Sequence, residues 1–320
     1  MRAEAWSLRP LFFPASRACY AAGIMKLTAV FPPMATPLQD DSVDAAAIAS
    51  NVRRWVDAGV GGVVALGSNG EAPLLDDDES DRVIAATRGA LPRDRTLIAG
   101  VGRESTRATI AAGARAANLG ADAVLVRTPS YFKGRMTPDA FVRHYTAVAD
   151  ASPVPVLLYN YPAVTGVNLL PEIVGRLSEH PNIVGIKETG SDTAQVAGYV
   201  AASRPTFTVI AGSMPTFYPS LCVGAAGAIL ALACVAPAVC ITIFDAFRDG
   251  RHDDARRLQR EATPLAKMVT ATHGVPGLKA AMELTGYRAG APRAPLAPAS
   301  PAAVAELRAE IDRLRAVCPF

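Results

Sequence analysis

The chain is predicted to fold as an α/β protein, a (β/α)8 TIM barrel with a C-terminal helical appendix. Three observations lead there. Eight short apolar runs recur at 27–31, 62–66, 96–101, 123–127, 154–159, 183–187, 207–211 and 226–231. Each is a near-continuous hydrophobic stretch rather than an alternating one, the pattern of parallel strands covered on both faces. Most segments between them carry helical periodicity, and eight strand–helix units are what such a barrel requires. An open doubly wound sheet usually has fewer strands and a glycine-rich first turn; here PPMATP follows the first run, with no G-x-G-x-x-G.

The elements follow in order. After LTAVF, segment 43–58 has Val43, Ile48, Val52, Trp55 and Val56 on one face, with Arg53 and Arg54 polar. Segment 76–91 opens with Asp76, Asp77, Asp78 and Glu79, an acidic first turn that complements a helix dipole. Segment 105–119 opens with Ser105 and 137–151 with Thr137-Pro138, both helix-start signals. Leu221 to Phe244 holds no charge, and its length alone would allow a membrane span. Gly224, Gly227 and Pro237 interrupt it, however, and its strand-then-helix rhythm marks buried core. Further helices are expected near 253–271, 276–285 and 301–316, the last with Val304, Leu307, Ile311 and Leu314 as an apolar stripe packed on the barrel. The barrel is therefore placed at 25–248 and the C-terminal helical region at 249–320. Residues 1–24 contain arginine and few acids, but Arg9, Pro10 and Pro14 break any apolar run, so they read as a disordered extension or an over-long start before Met25.

Composition narrows the function. Of 320 residues, 50% are hydrophobic and 19% charged, which is a folding chain rather than a disordered one. The formal net charge of +3, without a dense basic block, gives no footprint for nucleic acid. Cys19, Cys222, Cys234, Cys240 and Cys318 are odd in number and irregular in spacing, against both a disulfide framework and a zinc site. Cys222, Cys234 and Cys240 lie in apolar stretches as expected core residues, and a reducing cytoplasm is the simplest compartment. His144, His180, His252 and His273 are too scattered for a metal cluster, and neither a P-loop nor a G-x-S-x-G elbow occurs. No metal, nucleotide cofactor or membrane partner is implied.

Barrel sites sit at the C-terminal ends of the strands. There the second run ends in GSNGE (Gly67 to Glu71), the fourth in TPSYFKGRM, the fifth in YNYP (Tyr159 to Pro162), the sixth in Lys187-Glu188-Thr189 and the seventh in AGS (Ala211 to Ser213). Only five lysines occur; Lys26, Lys133, Lys267 and Lys279 fall where a solvated surface charge is the default. Lys187 ends a strand inside a crowded barrel. It is either a strand-end lysine that reaches solvent or an amine nucleophile that forms a Schiff base. Tyr159 is either a core tyrosine with a satisfied hydroxyl or the proton carrier beside that amine. The GSNGE turn offers backbone N–H groups and the Ser68 and Asn69 side chains, suited to a carboxylate.

Taken together, GSNGE, TPSYFKGRM, VPVLLYNYPAVTG, HPNIVGIKETGSD and VIAGS resemble the dihydrodipicolinate synthase / N-acetylneuraminate lyase family of pyruvate-dependent class I aldolases, over about 27–298. The resemblance implies a barrel usually assembled as a homotetramer, with a dimer as the alternative, and no cofactor beyond a covalent imine. It implies that Lys187 is the Schiff-base lysine and Tyr159 the general acid/base. Ser68 and Asn69 match the pair that binds the pyruvate carboxylate, with Ser68 in the proton relay. Tyr131 matches the tyrosine that neighbouring subunits exchange, and Thr189 and Gly212 would line the pocket. Two departures set the subfamily. Dihydrodipicolinate synthases carry an arginine where Val164 stands, a charge-assisted contact worth about 1.5–3 kcal/mol. Their Thr-Thr pair is Ser68 and Asn69 here. Both changes, with the GRM run (134–136) and the tail GVPGLKAAMELTGYRAGAPRAPL, look most like 4-hydroxy-2-oxoglutarate aldolases, which cleave their substrate to pyruvate and glyoxylate. A 4-hydroxy-tetrahydrodipicolinate synthase, another pyruvate-dependent aldolase or dehydratase, and an oxo-acid-binding sensor are the alternatives.

Overall fold

Residues 27–320 are described by a computed structural model; the expected N-terminal extension, Lys26 and Cys19 lie outside the described residues. Each of the eight expected apolar runs matches one strand, the fifth and sixth strands extending one residue past their runs: β1 (Val30–Phe31), β2 (Gly62–Ala65), β3 (Thr96–Gly100), β4 (Ala123–Arg127), β5 (Val156–Asn160), β6 (Ile183–Glu188), β7 (Thr208–Ala211) and β8 (Gly227–Ile229). All pair in parallel, β2 through β8 in sequence and β8 with β1. The barrel closes between β1 and β2, where the Gly61 N–H donates to the Val30 carbonyl (3.1 Å) and the Val64 N–H to that of Pro32 (3.0 Å). A hairpin of two-residue strands, Leu38–Gln39 and Ser42–Val43, is an addition that periodicity did not show. Its turn puts Asp40 and Asp41 in the left-handed region (φ 49° and 58°), a conformation aspartate tolerates.

The helices are α1 (Ala45–Asp57), α2 (Asp77–Ala90), α3 (Thr106–Asn118), α4 (Pro138–Ala151), α5 (Pro162–Thr165), α6 (Pro171–Ser178), α7 (Thr193–Ala202), α8 (Phe217–Cys222), α9 (Pro237–Arg248), α10 (His252–Lys267), α11 (Gly274–Leu284) and α12 (Pro301–Val317). The expected start signals act as caps. Asp76 accepts from the Glu79 N–H (2.7 Å) while the Glu79 carboxylate accepts from the Asp76 N–H (3.1 Å), a reciprocal capping box on α2. Ser105 caps α3 and Thr137 caps α4 ahead of Pro138. The uncharged stretch 221–244 divides into the end of α8, β8, a short 3-10 turn and α9. Among the described residues no helix is long and apolar enough to cross a membrane.

Period-two alternation divides the core in two. Phe31, Val64, Ile98, Leu125, Leu157, Tyr159, Ile210 and Ile229 fill the barrel interior. The alternate residues, such as Val63, Leu97, Val124, Leu158 and Ile186, meet the surrounding helices. At the C-terminal end, α12 buries Leu307, Ile311 and Leu314 as expected, with Ala303 in place of Val304, which is half-buried. Two further expectations are corrected. Cys222, expected in the core, is exposed at the end of the short α8. Lys279, expected on the surface, is 1% exposed because α11 turns it toward a buried carboxylate.

Candidate active site

The register of the central strands aligns three polar side chains. Arg127 on β4 is opposite Tyr159 on β5, which is opposite Lys187 on β6. Arg127 and Tyr159 each sit two residues beyond an interior leucine, Leu125 and Leu157, so they share the inward face at the C-terminal mouth. Lys187 is only 4% exposed, and its Nζ stands 4.3 Å from the centroid of the Tyr159 ring. Among the described residues no carboxylate pairs with it. Burial therefore lowers its pKa to about 7.

The Tyr159 hydroxyl lies 3.3 Å from Ser68 Oγ. Burial pushes the phenol's pKa up, with the Ser68 and Thr189 hydroxyls opposing. Ser68 and Asn69 lie in a 3-10 turn, Ser68–Gly70, and the Asn69 amide donates to the Pro33 carbonyl (3.4 Å). Leu66 and Glu71 flank that turn with φ of 58° and 57°, strained values for residues with a Cβ. Thr189 follows β6 directly, and Gly212 follows β7. A Cβ on Gly212 would overlap the Thr189 hydroxyl and stand 2.7 Å from the Glu188 carbonyl, so glycine is what admits both residues.

Ser68, Asn69, Tyr159, Lys187, Thr189 and Gly212 are thus gathered at one end of the barrel. Tyr131 is not gathered with them. Its ring is 78% exposed and packs edge-on against Phe132, which is also exposed, with centroids 5.0 Å apart. Two cavities, of about 330 and 560 Å³, open at this end and share Ser68, Pro73, Glu104, Arg127 and Tyr159 in their walls. Lys187 lines neither wall; Tyr159 lines both.

Four contributors escaped the sequence reading. Glu71, fully buried, forms a 2.5 Å ion pair with Lys279 and accepts from the Arg293 N–H (2.6 Å), which ties the Ser68 turn to the C-terminal region. Glu104 accepts from the Ser130 and Tyr131 N–H groups (2.8 and 2.9 Å) and from Arg127 (2.8 Å), so it shapes the Tyr131 loop. Tyr161 stacks on Tyr159 with centroids 6.0 Å apart. Arg127 itself had a readable signal, since it closes the run AVLVR at the same parity as the interior Leu125.

Behind β6 the Glu188 carboxylate is buried, without a cation among the described residues. It accepts from the Asn160 amide (2.8 Å) and the Gln195 amide (3.1 Å), and Asn160 and Gln195 also donate to the Tyr199 hydroxyl (3.1 and 2.8 Å). Such a satisfied network fixes the ends of β5 and β6, and with them Tyr159 and Lys187.

Comparison with known proteins gives the family and the fold. The sequence model of the Dihydrodipicolinate synthetase family matches residues 26–314. A 4-hydroxy-tetrahydrodipicolinate synthase from Exiguobacterium sp. is 35% identical over 291 residues, 91% of this chain and 99% of its own. A probable mitochondrial 4-hydroxy-2-oxoglutarate aldolase from Emericella nidulans is 39% identical over 233 residues, 71% of this chain and 75% of its own. Among solved structures, a prophage protein of the dihydrodipicolinic acid synthase family from E. coli K12, in complex with pyruvate, has a TM-score of 0.85 at 29% identity, covering 89% of this chain and 98% of that one. With a family match over nearly the whole described chain and relatives named both synthase and aldolase, the chain belongs to the dihydrodipicolinate synthetase family and is a lyase of the aldolase type.

Proposed function

We propose that this enzyme cleaves a 4-hydroxy-2-oxo acid, 4-hydroxy-2-oxoglutarate in the first instance, to pyruvate and glyoxylate through an imine on Lys187. The observation that carries this reading is a buried amine, held near neutrality by desolvation, beside the ring of a buried tyrosine. At an ordinary pKa of about 10.4, roughly 1 amine in 2500 would be neutral at pH 7; at about 7, half are. The Lys187 amine adds to C2 of the oxo acid, and water leaves to form the iminium. Tyr159 takes the proton of the C4 hydroxyl as it passes its own hydroxyl proton to Ser68 and on through Tyr131 to solvent, while the C3–C4 electron pair moves into the iminium, releasing the aldehyde. The enamine regains a proton at C3, and water hydrolyses the imine to free pyruvate and Lys187. Asn69 and the N–H groups of the Ser68 turn hold the C1 carboxylate, and Thr189 and Gly212 shape the wall beside it. The chemistry needs no cofactor beyond the imine.

Tyr131 enters in the assembled form, a homotetramer or dimer in a cytoplasmic setting. Its outward ring, with Phe132, is available to complete a neighbouring subunit's relay. The second reading, condensation of the pyruvate enamine with aspartate semialdehyde, is favoured by the relatives named synthase. Val164, on the cavity wall where that reaction's arginine would stand, speaks for the cleavage instead. Borohydride reduction with pyruvate, followed by peptide mass spectrometry, tests the proposal. A pyruvate-derived adduct on Lys187 is expected, and its absence from folded protein overturns the mechanism. An aldehyde panel with pyruvate then separates the two readings, glyoxylate being the expected partner.

A further inference from the structure

We infer that Arg127 is the specificity-determining residue that binds a second carboxylate, at the far end of the substrate from the imine, and so selects dicarboxylic oxo acids. The inference rests on the imine reading above, because it takes Lys187 as the point that anchors C2.

Position comes first. Arg127 ends β4 on the inward face, in register with Tyr159 and two strands from Lys187. Adjacent strands are about 4.8 Å apart, so the two Cα atoms lie about 10 Å apart with both side chains converging on the mouth. In a five-carbon oxo acid, the C5 carboxylate is three bonds from C2. A substrate joined to the Lys187 amine at C2, with C1 toward the Ser68 turn, therefore directs its other end along the wall that Arg127 occupies.

Charge comes second. Among the described residues, Arg127 is the only basic residue in the walls of both cavities. The other arginine there, Arg103 in the smaller cavity, is engaged by Asp77 (3.4 Å). Val164, on the same rim, brings no charge.

The third observation is the state of the guanidinium. Arg127 Nη1 donates to Glu104 Oε1 (2.8 Å) and to the Thr128 carbonyl (3.4 Å), and these are its only hydrogen bonds among the described residues. Nε and Nη2 are unengaged. They form the side-on edge of the guanidinium, which meets a carboxylate with two parallel hydrogen bonds. The side chain is 26% exposed, so this edge is accessible. Glu104 orients the group without saturating it, since its other oxygen is taken by the Ser130 and Tyr131 N–H groups. Gly102 leaves the space: a Cβ there would stand 2.6 Å from Arg127 Cγ and 2.7 Å from Arg127 N.

The test uses two oxo acids of equal chain length, 2-oxoglutarate and 2-oxovalerate, which differ in a carboxylate or a methyl at the far end. Each forms an imine with Lys187 by loss of water, and borohydride delivers hydride to the C=N carbon to leave a stable secondary amine, counted by intact mass. The readout is the ratio of their half-saturation concentrations. Damage to the fold or to the lysine weakens both acids together, so the ratio reports on the far end alone. The wild-type enzyme is expected to favour 2-oxoglutarate by tenfold or more, Arg127→Leu to bring the ratio near one, and Arg127→Lys to restore part of it. Arg127→Met, which keeps the stem length, carries the same expectation should the leucine form not fold. A wild-type ratio near one, or an unchanged ratio in Arg127→Leu or Arg127→Met, overturns the inference. Failure of the wild-type enzyme to form any adduct with pyruvate overturns the imine reading itself, and the role of Arg127 with it.

Discussion

Lys187 and Tyr159 face each other across paired strands, with the amine 4.3 Å from the ring centroid. Two effects of opposite sign meet there. The ring face favours an ammonium by about 0.5–2 kcal/mol. Burial opposes it, and a fall from about 10.4 to about 7 corresponds to about 4–5 kcal/mol. Burial wins, which leaves an amine available for addition to a carbonyl.

The first prediction concerns pH. Trapping of pyruvate by the free enzyme needs the neutral amine, so its initial rate should rise with pH through a midpoint of about 7 and then level. Rates of cyanoborohydride trapping across pH 6 to 9 check this. A rate still climbing steeply at pH 9 would contradict a depressed pKa.

Stability should respond in a definite direction. Between about pH 7 and 10.4 the unfolded chain binds a proton at Lys187 that the folded chain does not, so this residue's contribution makes stability rise with pH over that window. Below about pH 7 the cost is fully present. Lys187→Met removes it and should be stabilised relative to wild type by a few kcal/mol at pH 6.5, with the gain shrinking toward pH 10. Denaturant midpoints at the two pH values measure the difference; a gain independent of pH would count against the assignment.

Tyr159→Phe keeps the ring beside the amine and removes the hydroxyl that meets Ser68. Turnover of the 4-hydroxy-2-oxo acid should fall about 10²- to 10⁴-fold, the usual share of a positioned proton carrier. Pyruvate trapping should fall much less. Equal losses in both assays would assign Tyr159 to imine formation rather than to the cleavage step.

The buried pair of Glu71 and Lys279 should be costly to break and cheap to replace whole. Glu71→Gln or Lys279→Met alone leaves one charge uncompensated and is expected to lose about 3–5 kcal/mol. The double variant should lose far less than the sum. Because Glu71 ends the Ser68 turn, the single variants should also raise the half-saturation concentration for pyruvate. Thermal melts with trapping curves on all four forms measure both effects; strict additivity would show that the two residues do not interact.

Much of the fold was legible in the residues themselves. Strands buried on both faces must be apolar throughout, so each of the eight announces itself, and Asp76, Ser105 and Thr137 mark helix starts because the first turn leaves N–H groups to satisfy. The hairpin at 38–43 escaped because two-residue strands are shorter than any period. The rule that barrel sites occupy strand ends brought Lys187, Tyr159, Ser68 and Asn69 into view, but not the partnership of Glu71 with Lys279, which lie on different elements far apart in the chain.

By itself, then, the sequence determined the order of strands and helices, the mouth at which the chemistry gathers and the lysine that stands there, because hydrophobic period and strand-end position are local properties. Only the tertiary structure decided which charges are paired. Lys279 reads like any helix lysine until α11 turns it onto Glu71, and Arg127 like any strand-end arginine until the register sets it beside Tyr159 with one edge free. Lys187 differs from both because the barrel removes water and, among the described residues, supplies no counter-charge; desolvation depends on everything that surrounds a group, and that is a property of the closed fold.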